Sequence, residues 1–122
     1  MIRLPVPPSS NHYWRDRVMK SRTGQHVVQR YKTREARRYQ AAVHNLALAA
    51  GCRPVEKPRQ VIVRLVWYRE ARRGDLDNRL KVILDAMEGV MYDNDSQIKR
   101  IYAHREEDPK DPRVEVAVEV AA

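Results

Sequence analysis

One cysteine, Cys52, in 122 residues leaves no partner for a disulfide and no cysteine cluster for zinc within one chain. As a nucleophile it needs a partnered histidine, and its setting, Gly51-Cys52-Arg53-Pro54, reads as a structural turn after a helix. Apolar runs fall short of a membrane span, and no charged-then-apolar leader opens the chain. The expectation is a soluble, cytoplasmic protein with no membrane partner. No internal repeat or low-complexity tract is visible. The EF-hand pattern is incomplete: after Asp93-x-Asp95 neither the glycine nor the terminal glutamate follows, so this turn supplies carboxylates without being a self-contained calcium site. Acidic residues are scarce in the first half, where residues 1–57 hold twelve Lys/Arg against three Asp/Glu. Residues 58–122 hold twelve against thirteen, and the whole chain is +8. A basic half joined to a half with clustered carboxylates suits a polyanionic partner on one side and cation chemistry on the other.

At this length, residues 1–122 read as a single domain. Ile2, Leu4 and Val6 alternate with Arg3 and Pro5, a short edge strand ended by Pro7-Pro8. From His12 to Gly24 the chain is polar, basic and aromatic without a period, which predicts a long functional loop. Arg15, Arg17, Lys20 and Arg22 suit phosphates there; Tyr13 and Trp14 suit either stacking on bases or plugging the core. Ala36, Tyr39, Val43, Leu46 and Ala50 form an apolar stripe at helical spacing, with Thr33 as N-cap and Gly51 as terminator. Val61–Tyr68 is β-branched and aromatic on both faces, predicting a central strand covered on both sides. A second helix is predicted over Asn78–Met91, capped by Asp77, with Leu80, Ile83, Leu84, Met87, Val90 and Met91 buried. Asn78, Lys81, Asp85 and Glu88 share another of its faces. Two further strands follow, Gln97–His104 and the Val114–Val120 alternation. The predicted architecture is α/β of the α+β type: a four-stranded mixed sheet with two helices packed on one face, in the order β-α-β-α-β-β.

The chemistry concentrates between the central strand and the second helix, at Arg72-Arg73-Gly74-Asp75-Leu76-Asp77-Asn78-Arg79-Leu80-Lys81. In an extended segment residues i and i+2 share a face, so Asp75 and Asp77 converge on one point, where a hard divalent cation such as Mg²⁺ relieves their repulsion. A turn residue and a helix cap account for the same pair. Lys81, one turn into the helix, reaches back toward them to form a salt bridge, to hold a water or to stabilise charge on a phosphate. Asp93 and Asp95 lie beyond the helix, whose roughly 14 residues carry the chain about 20 Å along. They meet the Asp pair either through a loop that folds back or across a subunit interface. Three carboxylates and a lysine next to a basic surface match metal-assisted phosphodiester hydrolysis.

The run Arg73-Gly74-Asp75-Leu76-Asp77-Asn78-x-x-Lys81, with Asp85-Ala86 behind it and Asp95-Ser96-Gln97-Ile98 downstream, resembles the RusA family of Holliday-junction resolvases, the crossover junction endodeoxyribonucleases. The opening Leu4-Pro5-x-Pro7-Pro8-Ser9-x-Asn11-x-Tyr13 is similar to the same family's N-terminal signature. The resemblance implies a homodimer, dependent on Mg²⁺ or on Mn²⁺ in its place, that acts in DNA recombination and repair by paired symmetric nicks in four-way DNA. It implies Asp75, Asp77 and Asp95 as the metal-binding carboxylates, with Lys81 as supporting cation. Where the family often carries Asp-Asp, this chain has Asn94-Asp95 preceded by Asp93, so Asp93 rivals Asp95 as third ligand. Asp85 also matches a family aspartate, in a position that suits a structural role. Asn11, Tyr13, Asn78, Arg72 and Arg73 join Arg15, Arg17, Lys20 and Arg22 as the expected DNA contacts. Two alternatives use the same residues differently: a related metal nuclease acting on other branched DNA, and a non-catalytic DNA-binding module whose acids are structural. Symmetry supports the dimer independently, because two nicks in a nearly two-fold junction require two sites.

Overall fold

In the computed structural model, which describes residues 1–70 and 74–122, the chain forms ten elements in two sheets. They are β1 (Ile2–Leu4), α1 (Ser10–Tyr13), β2 (Trp14–Lys20), β3 (His26–Lys32), α2 (Arg34–Ala49), β4 (Val61–Arg69), α3 (Leu76–Ala86), a 3-10 turn (Asp95–Gln97), β5 (Ile98–Glu107) and β6 (Arg113–Val120). The main sheet has the order β1-β6-β4-β5, with β5 parallel to β4 and the other pairings antiparallel. The expected α+β class, mixed four-stranded sheet and element order hold.

The segment expected to be a loop is instead a separate two-stranded ribbon, β2–β3, preceded by the one-turn helix α1. Its strands are exposed along nearly their whole length, so neither face selects apolar residues and no period of two is written into them. Its turn is closed by Ser21 and Gln25 (2.8 Å) and by Gly24 in the left-handed region.

α2 begins at Thr33, whose hydroxyl accepts the Ala36 N–H (3.1 Å). It ends in paired bonds from Gly51 N–H to the Leu48 carbonyl and from Cys52 N–H to the Ala47 carbonyl, a left-handed glycine stop. Its buried stripe is Ala36, Tyr39, Val43 and Ala47. Leu46, expected inside, is largely exposed because a three-four-four spacing selects Ala47.

α3 is shorter than expected. It starts two residues early, at Leu76, and stops at Ala86 because Gly89, at φ 87°, turns the chain out of the helix. Met87, Val90, Met91 and Tyr92 remain buried in the turns beyond.

The alternate residues Val61, Val63, Leu65 and Trp67 of β4 join Val114, Val116 and Leu4 beneath α2 and α3 in one apolar cluster. Among the described residues, no second layer covers the opposite face of β4. Arg64 there is exposed, pairs with Glu119 (3.0 Å) and lies over Tyr102, while Arg113 lies 3.9 Å over the Tyr68 ring. Two-sided hydrophobicity in β4 is thus met on one side by core and on the other by arginine stems and rings. Among the described residues, no helix is long and apolar enough to cross a membrane.

Candidate active site

α3 is the crossover between the parallel strands β4 and β5, so its two ends serve different parts of the molecule. At its start, the chain leaves β4 and turns at Gly74. This residue has φ 83°, and a Cβ there would lie 3.2 Å from the Trp67 ring and 3.3 Å from Arg79 Nε. Any side chain would therefore meet both a conformational and a steric barrier. The turn is pinned from below by buried Arg69, which donates to the Gly74 carbonyl (3.1 Å) and pairs with Glu107 (2.6 Å). Arg79 returns from α3 to pack against Trp67 (5.4 Å) and donates to the Pro7 carbonyl (2.6 Å). Burial lowers the Arg79 pKa from its ordinary value, with Glu35 opposing that. These two arginines shape the turn that presents the aspartates. Sequence reasoning missed them, since a charged residue inside a basic chain carries no mark of burial.

Asp75 and Asp77 do not share an extended segment. Asp75 is the extended N-cap residue of α3 (φ −92°, ψ 142°) and Asp77 already lies in the first turn, its Oδ1 accepting the Asn78 N–H (3.0 Å). The cap expected at Asp77 therefore falls two residues earlier, although the Asp75 side chain makes no cap hydrogen bond. Both carboxylates are exposed at the positive end of the helix dipole.

Along the next turns, α3 meets the ribbon and α1. Asn78 accepts from the Ser10 hydroxyl (3.1 Å). Asp85 accepts from the buried Tyr13 hydroxyl (2.5 Å) and pairs with Lys32 Nζ (2.9 Å). Burial first, and then this contact with Asp85, push the Tyr13 hydroxyl far above its ordinary value, so it keeps its proton and donates the hydrogen bond. Tyr13 plugs the core, with its ring edge against Trp14 at 4.5 Å. Trp14, Arg30, Lys81, Leu84, Asp85 and Asp95 line a cavity of about 230 Å³ between ribbon and helix. Lys81 thus shares this cavity's lining with Asp85 and Asp95, one helical turn from Asp77.

The last helical turn leads to a second acidic group. The Asp95 N–H donates to Glu88 Oε1 (3.0 Å). Burial pushes the Glu88 carboxyl up; the Asp95 N–H opposes this, and the Asp95 and Asp85 charges add to it. Asn94 and Gln97 close a reciprocal capping box around Asp95. Asp93 points elsewhere, accepting the Lys57 N–H (3.1 Å).

From Asp77 to Asp85 the helix rises about 12 Å, and among the described residues no three His, Cys, Asp or Glu side chains are placed to hold a metal. Of the remaining expected residues, Asn11 is exposed on α1, and Arg15, Arg17, Lys20 and Arg22 are exposed along the ribbon. Arg17 is braced by Gln29 (2.9 and 3.0 Å). Arg72 and Arg73 lie outside the described residues.

The family model described as Endodeoxyribonuclease RusA matches residues 5–119, nearly the whole chain. No curated protein matches it.

Proposed function

The chain belongs to the RusA endodeoxyribonuclease family, and from that premise we propose that it resolves four-way DNA junctions by paired symmetric nicks in recombination and repair. Residues 1–122 act as one endonuclease domain, in the cytoplasm, as a homodimer. The observation that carries the reading is the placement of α3. Its cap and first turn expose Asp75 and Asp77, Lys81 on its middle lines a cavity with Asp95, and that cavity is walled by Trp14 and Arg30 of the basic β2–β3 ribbon.

The donor set fits a hard divalent cation. Every candidate ligand is an exposed carboxylate oxygen, the chemistry Mg²⁺ prefers and Mn²⁺ tolerates. Asp75, Asp77 and Asp95 are the residues that would hold the ion. Asp93, already bonded to the Lys57 backbone, is the weaker third candidate. When bound, such an ion lowers the pKa of a water and neutralises charge on the phosphate. That no three carboxylates stand together to hold a metal among the described residues supports a site completed across a two-fold axis. Lys81 supports charge developing on the phosphate. Arg15, Arg17, Lys20, Arg22, Arg72 and Arg73 neutralise backbone charge, and Asn11 and Asn78 add polar contacts beside them. Tyr13 acts indirectly, by holding Asp85 and the root of the ribbon against α3.

A synthetic four-way junction with Mg²⁺ tests the reading. Wild type is expected to nick opposing strands at symmetric positions and to bind the junction ahead of linear duplex at matched salt, a preference that phosphate contacts alone do not produce. Asp77→Asn is expected to abolish cleavage while leaving junction binding intact or tighter, since it removes a negative charge near the DNA. Unimpaired cutting by Asp77→Asn refutes the site. Equal cutting of flapped DNA points to a broader branched substrate.

A further inference from the structure

The β2–β3 ribbon repeats one arrangement on both faces. On one, Arg30 lies 4.9 Å over Trp14 and the Val18–Val28 pair follows toward the tip; on the other, Arg17 lies 5.1 Å over Tyr31 and Met19–Val27 follows. Each face therefore runs from aromatic to arginine to aliphatic pair. A ribbon that rests on its own protein has one face of this kind. Here both aliphatic pairs are in solvent, with Val18 and Val28 each 67% exposed and Met19 and Val27 43% and 47%.

Resting on the junction-resolving reading above, we propose that the ribbon enters the open centre of a four-way junction. There its two aliphatic pairs cover the end faces of base pairs on adjacent arms. The charge pattern selects DNA over a second copy as occupant: residues 14–32 carry six Lys/Arg against the single Asp16, so two ribbons repel and a ribbon between phosphate backbones is neutralised. The apolar pairs select the branch point over a linear duplex. Inside a duplex the base faces are stacked on one another, and a groove offers only base edges to one face of a ribbon. At an open branch, flat apolar base faces are available on two sides, and aliphatic side chains are suited to cover unstacked steps.

The test uses the full chain and a junction carrying 2-aminopurine next to the branch point. Wild type is expected to raise the fluorescence there and to leave it unchanged with the probe in mid-arm. Combined Val18→Thr, Met19→Thr, Val27→Thr and Val28→Thr retains strand-forming residues at exposed positions. It is expected to remove the rise and about tenfold of the junction-over-duplex preference, with duplex affinity held within about twofold. A wild-type signal equal at branch and mid-arm overturns the inference without any variant. So does a quadruple variant with undiminished preference, or one whose sedimentation shows a lost dimer, which makes the second copy the occupant. A wild type that cleaves but shows no junction preference overturns the ribbon's role alone; one that neither binds nor cleaves junctions overturns the functional reading as well.

Discussion

β4 and the β2–β3 ribbon are both regular strand, and they use opposite physics. In β4 every second residue is buried and the strand is paired on both sides, so its sequence is shaped by packing. In the ribbon each strand has one neighbour and almost no buried side chain, so its sequence is free to serve a partner. One is scaffold and the other presents its side chains to solvent. α3 joins the two parts, with Val82, Ile83 and Ala86 turned to the core, Asn78 bonded to Ser10 of α1, and Lys81 and Asp85 lining a cavity with Trp14 and Arg30 of the ribbon.

Truncation tests that contrast most directly. Leu65→Ala in β4 is expected to cost about 2–5 kcal/mol in denaturant unfolding, from lost burial and the cavity left behind. Val28→Ala in the ribbon is expected to stay within about 0.5 kcal/mol. Similar losses at both sites break the comparison, because the ribbon is then part of the core's cooperative unit. The two acidic turn residues separate next, by role. Asp95→Asn is expected to lose more than about a hundredfold in junction cleavage, beyond the usual effect of disturbing an outer partner of a metal. Asp93→Asn is expected to stay partly active, and the reverse order reassigns the third ligand. Lys81→Ala should lower turnover by about a hundredfold with metal affinity nearly unchanged. A collapse of metal binding instead makes Lys81 a structural counter-ion. The smallest effect concerns the joint between scaffold and ribbon. Tyr13→Phe keeps the buried ring but deletes the hydroxyl bonded to Asp85, at a cost of about 2 kcal/mol in thermal or denaturant unfolding. No change there means that the Lys32–Asp85 pair alone holds the ribbon root.

Several elements were legible before the structure, each for a physical reason. Thr33 and Gly51 bound α2 because capping and the left-handed stop are local backbone chemistry. β6 was readable as alternation because one of its faces is buried, at Val114 and Val116. Asp75, Asp77 and Lys81 stood out because their spacing resembles a family motif, and the chain does belong to that family. The ribbon was not legible, since exposed strands carry no burial period. The end of α3 was misplaced because apolar residues continue with helical spacing through Met91, past the glycine that stops the helix.

The sequence by itself therefore determined the fold class, the basic first half and the family, since these follow from periodicity, charge and short motifs. Only the tertiary structure decided which groups meet. It placed Tyr13 and Lys32 on Asp85, Asp93 on the Lys57 backbone, and Arg69 and Arg79 around Gly74. It also left no three carboxylates placed together to hold a metal among the described residues. Those pairings join residues far apart in the chain, and their distances are set by how helix, ribbon and sheet pack, which no local pattern encodes.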